Sequence, residues 1–141
     1  MAFKKILTVR EPERDYSHRS LLDKLGIQPG QRICVLGLNN TAFRSELKAI
    51  VPDAAGDKPL KDADLIFLGA SDLKGLACLK SLESLIKRNG SIWVVYPKGQ
   101  KQIREADVIA AGKSAGLTDN KVCRFSDTHT ALRFVIPVAR R

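Results

Sequence analysis

Side chains able to act as base, nucleophile or metal ligand are scarce in this chain. Its 141 residues hold two histidines, His18 and His129, and three cysteines, Cys34, Cys78 and Cys123. No His-Glu-x-x-His, phosphate-loop or nucleophile-elbow pattern is present. Asp127-Thr128-His129 offers an acid–base pair in a turn, and also reads as an ordinary hydrogen-bonded loop. A metal centre would need a third ligand that the sequence does not place, so none is expected. The cysteine number is odd and no pair has Cys-x-x-Cys spacing, which argues against a disulfide framework or a zinc knuckle. Each cysteine sits in an apolar run, where a free thiol behaves as a small hydrophobe.

More chemistry gathers where apolar runs end. Gly37 lies near the end of the run 32–38 and Asn39 and Asn40 follow it, Ser71 follows 64–70, and Tyr96-Pro97-Lys98-Gly99 closes 91–96. In an open α/β sheet, ligands sit outside the carboxyl ends of the parallel strands, against the N-termini of the helices that follow. Gly37, Asn39, Asn40, Ser71, Tyr96 and Lys98 are therefore expected to line one crevice. Proline fixes the exit from the third run and glycine permits the turn, so Lys98 is presented in a defined place where it would bind an anion. A solvated loop lysine is the alternative reading.

The elements that must position these residues alternate. Residues 1–16 are charged, carry Pro12 and read as an arm, and 17–141 as one domain. Ser17 is placed to cap a helix with Leu21, Leu22 and Leu25 on its apolar face, ended by Gly26. The runs 32–38, 64–70 and 91–96 have the length and continuous apolarity of buried parallel strands. Between the first two lies a helix at 42–51 with Phe43, Leu47 and Ile50 on one face, then a loop at 52–63 with room for a short edge strand. Asp72 is expected to cap a long helix with a stripe of Leu76, Leu79, Leu82, Leu85 and Ile86, its last turn carrying Lys87 and Arg88. A further helix, 102–115, stops at Gly116, where Leu117 suits a Schellman contact. The last two apolar runs, 121–125 and 131–136, have no helix between them and must pair as an antiparallel hairpin. The expected architecture is a three-layer, mostly parallel sheet with helices on both faces and a C-terminal hairpin.

This order is similar to the Rossmann-like fold of the class I methyltransferases, and local wording agrees. Residues 25–33, Leu-Gly-Ile-Gln-Pro-Gly-Gln-Arg-Ile, resemble the segment entering the first strand of those enzymes, and 86–94 the helix-turn-strand before their fifth. The chain also resembles a family of short bacterial proteins of unknown function at 22–35, 91–99 and 115–135. Where that family usually has tryptophan, this chain has His129. The resemblance implies a fold and no known activity. The methyltransferase pattern is depleted: after the first strand one glycine, Gly37, stands where alternating glycines and an upstream acid are usual. Asp53 and Asp57 are candidates for the acid that holds ribose hydroxyls, with loop solvation an equal account. The fourth-strand polar-Pro-Pro-aromatic motif of amino-methylating enzymes is replaced by Gly69-Ala70-Ser71-Asp72.

These departures lead to the expectation of a non-catalytic binding or regulatory module with a methyltransferase-like fold. The alternatives are an S-adenosylmethionine-dependent methyltransferase with an atypical cofactor loop, and a basic nucleic-acid-binding accessory protein. The last rests on the formal net charge of +9, which solvated helix faces explain equally well. No run approaches the roughly 20 apolar residues of a membrane span, and the N-terminus lacks a signal-peptide core, so a cytoplasmic protein is expected. If the charge serves nucleic acid, filter binding should weaken steeply between low and moderate salt. Retention that does not change with salt would remove that reading.

Overall fold

The computed structural model describes residues 21–141. The arm at 1–16, the Ser17 cap and His18 lie outside the described residues. Residues 21–24 are helical, and Gly26, at φ 78°, turns the chain toward the first strand. The strands are β1 (Ile33–Leu36), β2 (Ala55–Gly56), β3 (Ala63–Gly69), β4 (Ile86–Pro97), β5 (Thr118–Arg124) and β6 (His129–Val135). They form one sheet in the order β2-β1-β3-β4-β6-β5. The pairs from β2 to β4 are parallel, and β4–β6 and β6–β5 are antiparallel. The edge strand expected within 52–63 is thus β2, two residues long.

Helices α1 (Thr41–Ile50), α2 (Leu79–Glu83) and α3 (Glu105–Ser114) cover the sheet. Alternate residues of each strand point to opposite faces. Ile66 and Leu68 of β3, Ile92 and Val94 of β4 and Phe134 of β6 pack with Leu79 of α2 and Val108 of α3. Phe67, Trp93 and Val95 face the other way, with Leu25, Phe43 and Leu47. Trp93 is fully buried, and its indole N–H donates to the Leu25 carbonyl at 3.0 Å, tying the first helical turn to the central strand. Each such large side chain contributes roughly 1.5–3 kcal/mol by leaving water.

Local chemistry ends the helices as the sequence implies. Asn40 Oδ1 accepts from the Phe43 N–H at 2.9 Å and starts α1. Beyond α3, Gly116 adopts φ 86°, and Leu117 N–H reaches the Gly112 carbonyl at 2.9 Å in a Schellman arrangement. The expected long helix after Asp72 is not formed. Asp72 does cap, accepting from Gly75 N–H at 3.1 Å, but it starts only the 3-10 turn Leu73–Leu76, and α2 has five residues. The residues read as the last helical turn belong to β4. Ile86 pairs with Ala63, and a bulge then absorbs Lys87-Arg88-Asn89-Gly90 before Ser91 pairs with Leu65. A Cβ on Gly90 would stand 2.9 Å from the Ala63 carbonyl oxygen, so glycine is needed where the bulge folds onto β3. Pairing with β3 overrides a helical period that the apolar spacing carries equally well.

The same corner places Lys87 Nζ 3.0 Å from Asp64 Oδ1, while Oδ2 accepts the Arg32 N–H at 2.8 Å. Burial raises the Asp64 pKa, but the Arg32 N–H and the Lys87 ammonium outweigh it and hold the carboxyl below its ordinary value. Cys78, expected to be buried, is exposed, whereas Cys34 and Cys123 are buried. Its place between two short helical pieces turns it outward. No helix among the described residues is long and apolar enough to cross a membrane.

Gly112 lets α3 lie directly on β6, since a Cβ there would fall 2.0 Å from the Phe134 ring. Gly112→Ala gains about 1 kcal/mol in helix propensity. Overpacking a fully buried ring costs about 1–3 kcal/mol or more and should win. A lower urea midpoint for the variant is the expected result, and an unchanged or higher one would show that α3 can lift off the sheet.

Candidate functional site

Two clefts flank the carboxyl end of β4, one on each side. Val95 lines the first, a cleft of about 310 Å³. Its floor is Gly37, Gly69 and Ala70, and one wall is Leu38, Asn39, Asn40 and Ser71. The opposite wall is the β5–β6 turn, through Phe125, Ser126, Thr128 and His129. That volume is at the small end for a small-molecule site. The structure thus brings Gly37, Asn39, Asn40 and Ser71 together.

Tyr96 does not join them. It lines the second cleft, of about 350 Å³, with Gln100, Lys101, Arg104 and Glu105. Consecutive residues of a strand face opposite ways, so Val95 and Tyr96 cannot share a cleft. Lys98 lines neither of these two. Its backbone N–H donates to the Thr128 carbonyl at 3.0 Å and ties the loop to the hairpin, while its side chain is exposed.

The floor is bare backbone for a reason. Gly37 has φ 66°, and a Cβ on Gly69 would stand 2.3 Å from the Gly37 oxygen. The two strand ends touch through their main chains. The wall formed by the hairpin turn escaped sequence reasoning, because a turn from the far end of the chain comes over the cleft only when β6 inserts beside β4. His129 Nδ1 shares a hydrogen bond with Thr128 Oγ1 at 2.8 Å. Asp127 does not pair with His129, and the turn is a hydrogen-bonded loop. Asp127 forms an ion pair with Arg124 instead. Arg133, the other hairpin arginine, lies 5.7 Å over the Trp93 ring and donates to Asn120 Oδ1 at 2.9 Å.

Asp57 follows β2 directly. Its Oδ1 accepts the Gly37 N–H at 3.2 Å and pairs with Arg44 at 3.2 Å. It is one of two non-glycine residues among those described with positive φ, at 57°. Arg44, from α1, also donates to the Leu38 carbonyl at 2.8 Å. It bridges the β1–α1 turn and the exit from β2. Of the two acids considered for this position, the strand pairing Val35–Gly56 brings Asp57 to the cleft floor.

No family model matches the sequence, and no curated protein matches it. The resemblance to the short bacterial family therefore rests on the quoted stretches alone. Solved structures do match in fold. An S-adenosylmethionine-dependent methyltransferase from Aquifex aeolicus superposes with TM-score 0.67 at 12% identity, over 90% of this chain and 100% of that one. The Methanococcus jannaschii fibrillarin pre-rRNA processing protein gives 0.63 at 11%, over 89% and 76%. Human N-acetylserotonin methyltransferase, solved with S-adenosylmethionine, gives 0.63 at 16%, over 84% and 51%, so this chain spans about half of it. The fold is the class I methyltransferase-like Rossmann arrangement, mostly parallel with an antiparallel β4-β6-β5 portion.

Asparagine tolerates positive φ and still accepts from Gly37, and the Arg44 pair is exposed on the aspartate side. Asp57→Asn should therefore shift stability by no more than about 0.5 kcal/mol in urea unfolding. A larger loss would make the carboxylate a structural requirement.

Proposed function

We propose that this protein is an S-adenosylmethionine-dependent methyltransferase working with an atypical cofactor loop. One observation carries the reading. An acid stands at the carboxyl end of β2, one hydrogen bond from the cleft floor, in the place from which this fold class reaches ribose hydroxyls. The fold of the solved methyltransferases supports it. The sequence-based expectation of a non-catalytic module rested on the depleted glycine turn and the shortened 39–63 region, and Asp57 beside Gly37 weakens the second ground, since the short region still supplies an acid next to the turn.

The residues fit the group. The carboxylate of Asp57 can accept from two vicinal hydroxyls, and the Gly37–Gly69 floor lets a ligand approach the main chain. Asn39, Asn40 and Ser71 offer amide and hydroxyl partners to the amino-acid end. Bound there, the cofactor supplies an electrophilic methyl group on a sulfonium. His129, on the hairpin wall, is the base that would take a proton from the acceptor atom. The net charge of +9 favours an anionic acceptor, nucleic acid among them. Arg44 must share or release Asp57 when ribose binds.

Calorimetric titration with S-adenosylmethionine and S-adenosylhomocysteine tests this. Micromolar binding is expected. Asp57→Asn should weaken it about 10-fold, the worth of a charge-assisted hydrogen bond, without lowering the melting temperature. No heat at millimolar ligand would overturn the proposal and return the chain to the non-catalytic reading.

A further inference from the structure

The second cleft, across β4 from the first, has a different chemistry. Tyr96 is 4% exposed, and its hydroxyl has no hydrogen-bond partner among the described residues. A buried polar group without a partner calls for an explanation. Tyr96 lines this cleft, so a ligand there would supply the missing acceptor.

The rest of the lining states what kind of ligand. Lys101 and Arg104 bring two cationic side chains, against one acid, Glu105. The cleft lies at the start of α3, a helix of ten residues; Asp107 Oδ2 already accepts the Arg104 N–H there at 3.0 Å, and the remaining N–H groups of the first turn have no helical partners. Gln100 adds an amide, and Gly99, at φ 73°, lets the loop curl over the opening.

We infer that this cleft is a second binding site, for a small oxyanion, held by Lys101 and Arg104 and by a hydrogen bond donated from the Tyr96 hydroxyl. The shared chemistry is that of a phosphate or carboxylate group. Burial, and behind it the Glu105 carboxylate, push the Tyr96 pKa up, so the phenol stays protonated and donates. The site is separate from the cofactor cleft, because Val95 and Tyr96 stand back to back in β4. It does not depend on methyl transfer.

The test is a titration of the isotope-labelled full chain with inorganic phosphate, and in a second arm with succinate, each against sodium chloride of equal ionic strength. Saturable amide shifts confined to residues 99–105 are expected for at least one oxyanion, and the tighter arm names the source. Tyr96→Phe should weaken that binding about 10-fold while leaving the fold intact. Lys101→Met, at an exposed position, should weaken it without touching the core. Shifts that chloride reproduces, shifts spread over the whole basic surface, or equal affinity in Tyr96→Phe would each overturn the assignment.

Discussion

Where β1 and β3 end, two backbones touch, and the first cleft is arranged around that contact. A side chain on Gly69 would stand 2.3 Å from the Gly37 oxygen, and one on Gly37 would meet the Gly69 oxygen at 3.1 Å with φ in the left-handed region. No rotamer change relieves a clash with main chain. The strand ends can come this close only as glycines. Having met, the two chains must part, one into α1 and the other into the 3-10 turn at Leu73–Leu76. The first cleft is the space between them. Its floor is main chain because nothing larger fits, and its polar residues are the first ones that each departing chain can offer.

The remaining parts of that end follow from sheet pairing. Two residues of β2 beside β1 suffice to bring Asp57 to the Gly37 N–H, and Arg44 spans the gap from α1. Insertion of β6 between β4 and β5 swings the hairpin turn across the cleft. The pleat of β4 then divides the chemistry. Val95 faces the first cleft and the Phe43–Phe67 side of the core, and Tyr96 faces the second cleft beside α3. One strand end thus serves two chemically distinct hollows without a side chain in common.

Much of the scaffold was legible because its signals are local. Continuous apolar runs marked β1, β3 and the second half of β4, an asparagine marked the start of α1, and Gly116 with Leu117 marked the end of α3. The failures came where a local signal was ambiguous or a partner was distant. The Leu76–Leu79–Leu82 spacing fits a helix, yet the residues after it gain more from pairing with Ala63 than from another helical turn. Tyr96 and Lys98 were grouped with Asn39 because all follow strands, a rule that ignores which face each side chain takes. Asp53 and Asp57 are equivalent on the page, and only the register of β2 against β1 separates them.

The sequence by itself determined the order of most elements and the burial of both sheet faces, since these depend on residue type and near-neighbour spacing. Tertiary structure alone decided which polar residues share a cleft, which aspartate meets Gly37, and which phenol has no partner among the described residues. Those outcomes depend on register, strand insertion and pleat. Each of these is set by contacts between residues far apart in the chain, and a shift of one residue in any of them would turn a different side chain inward.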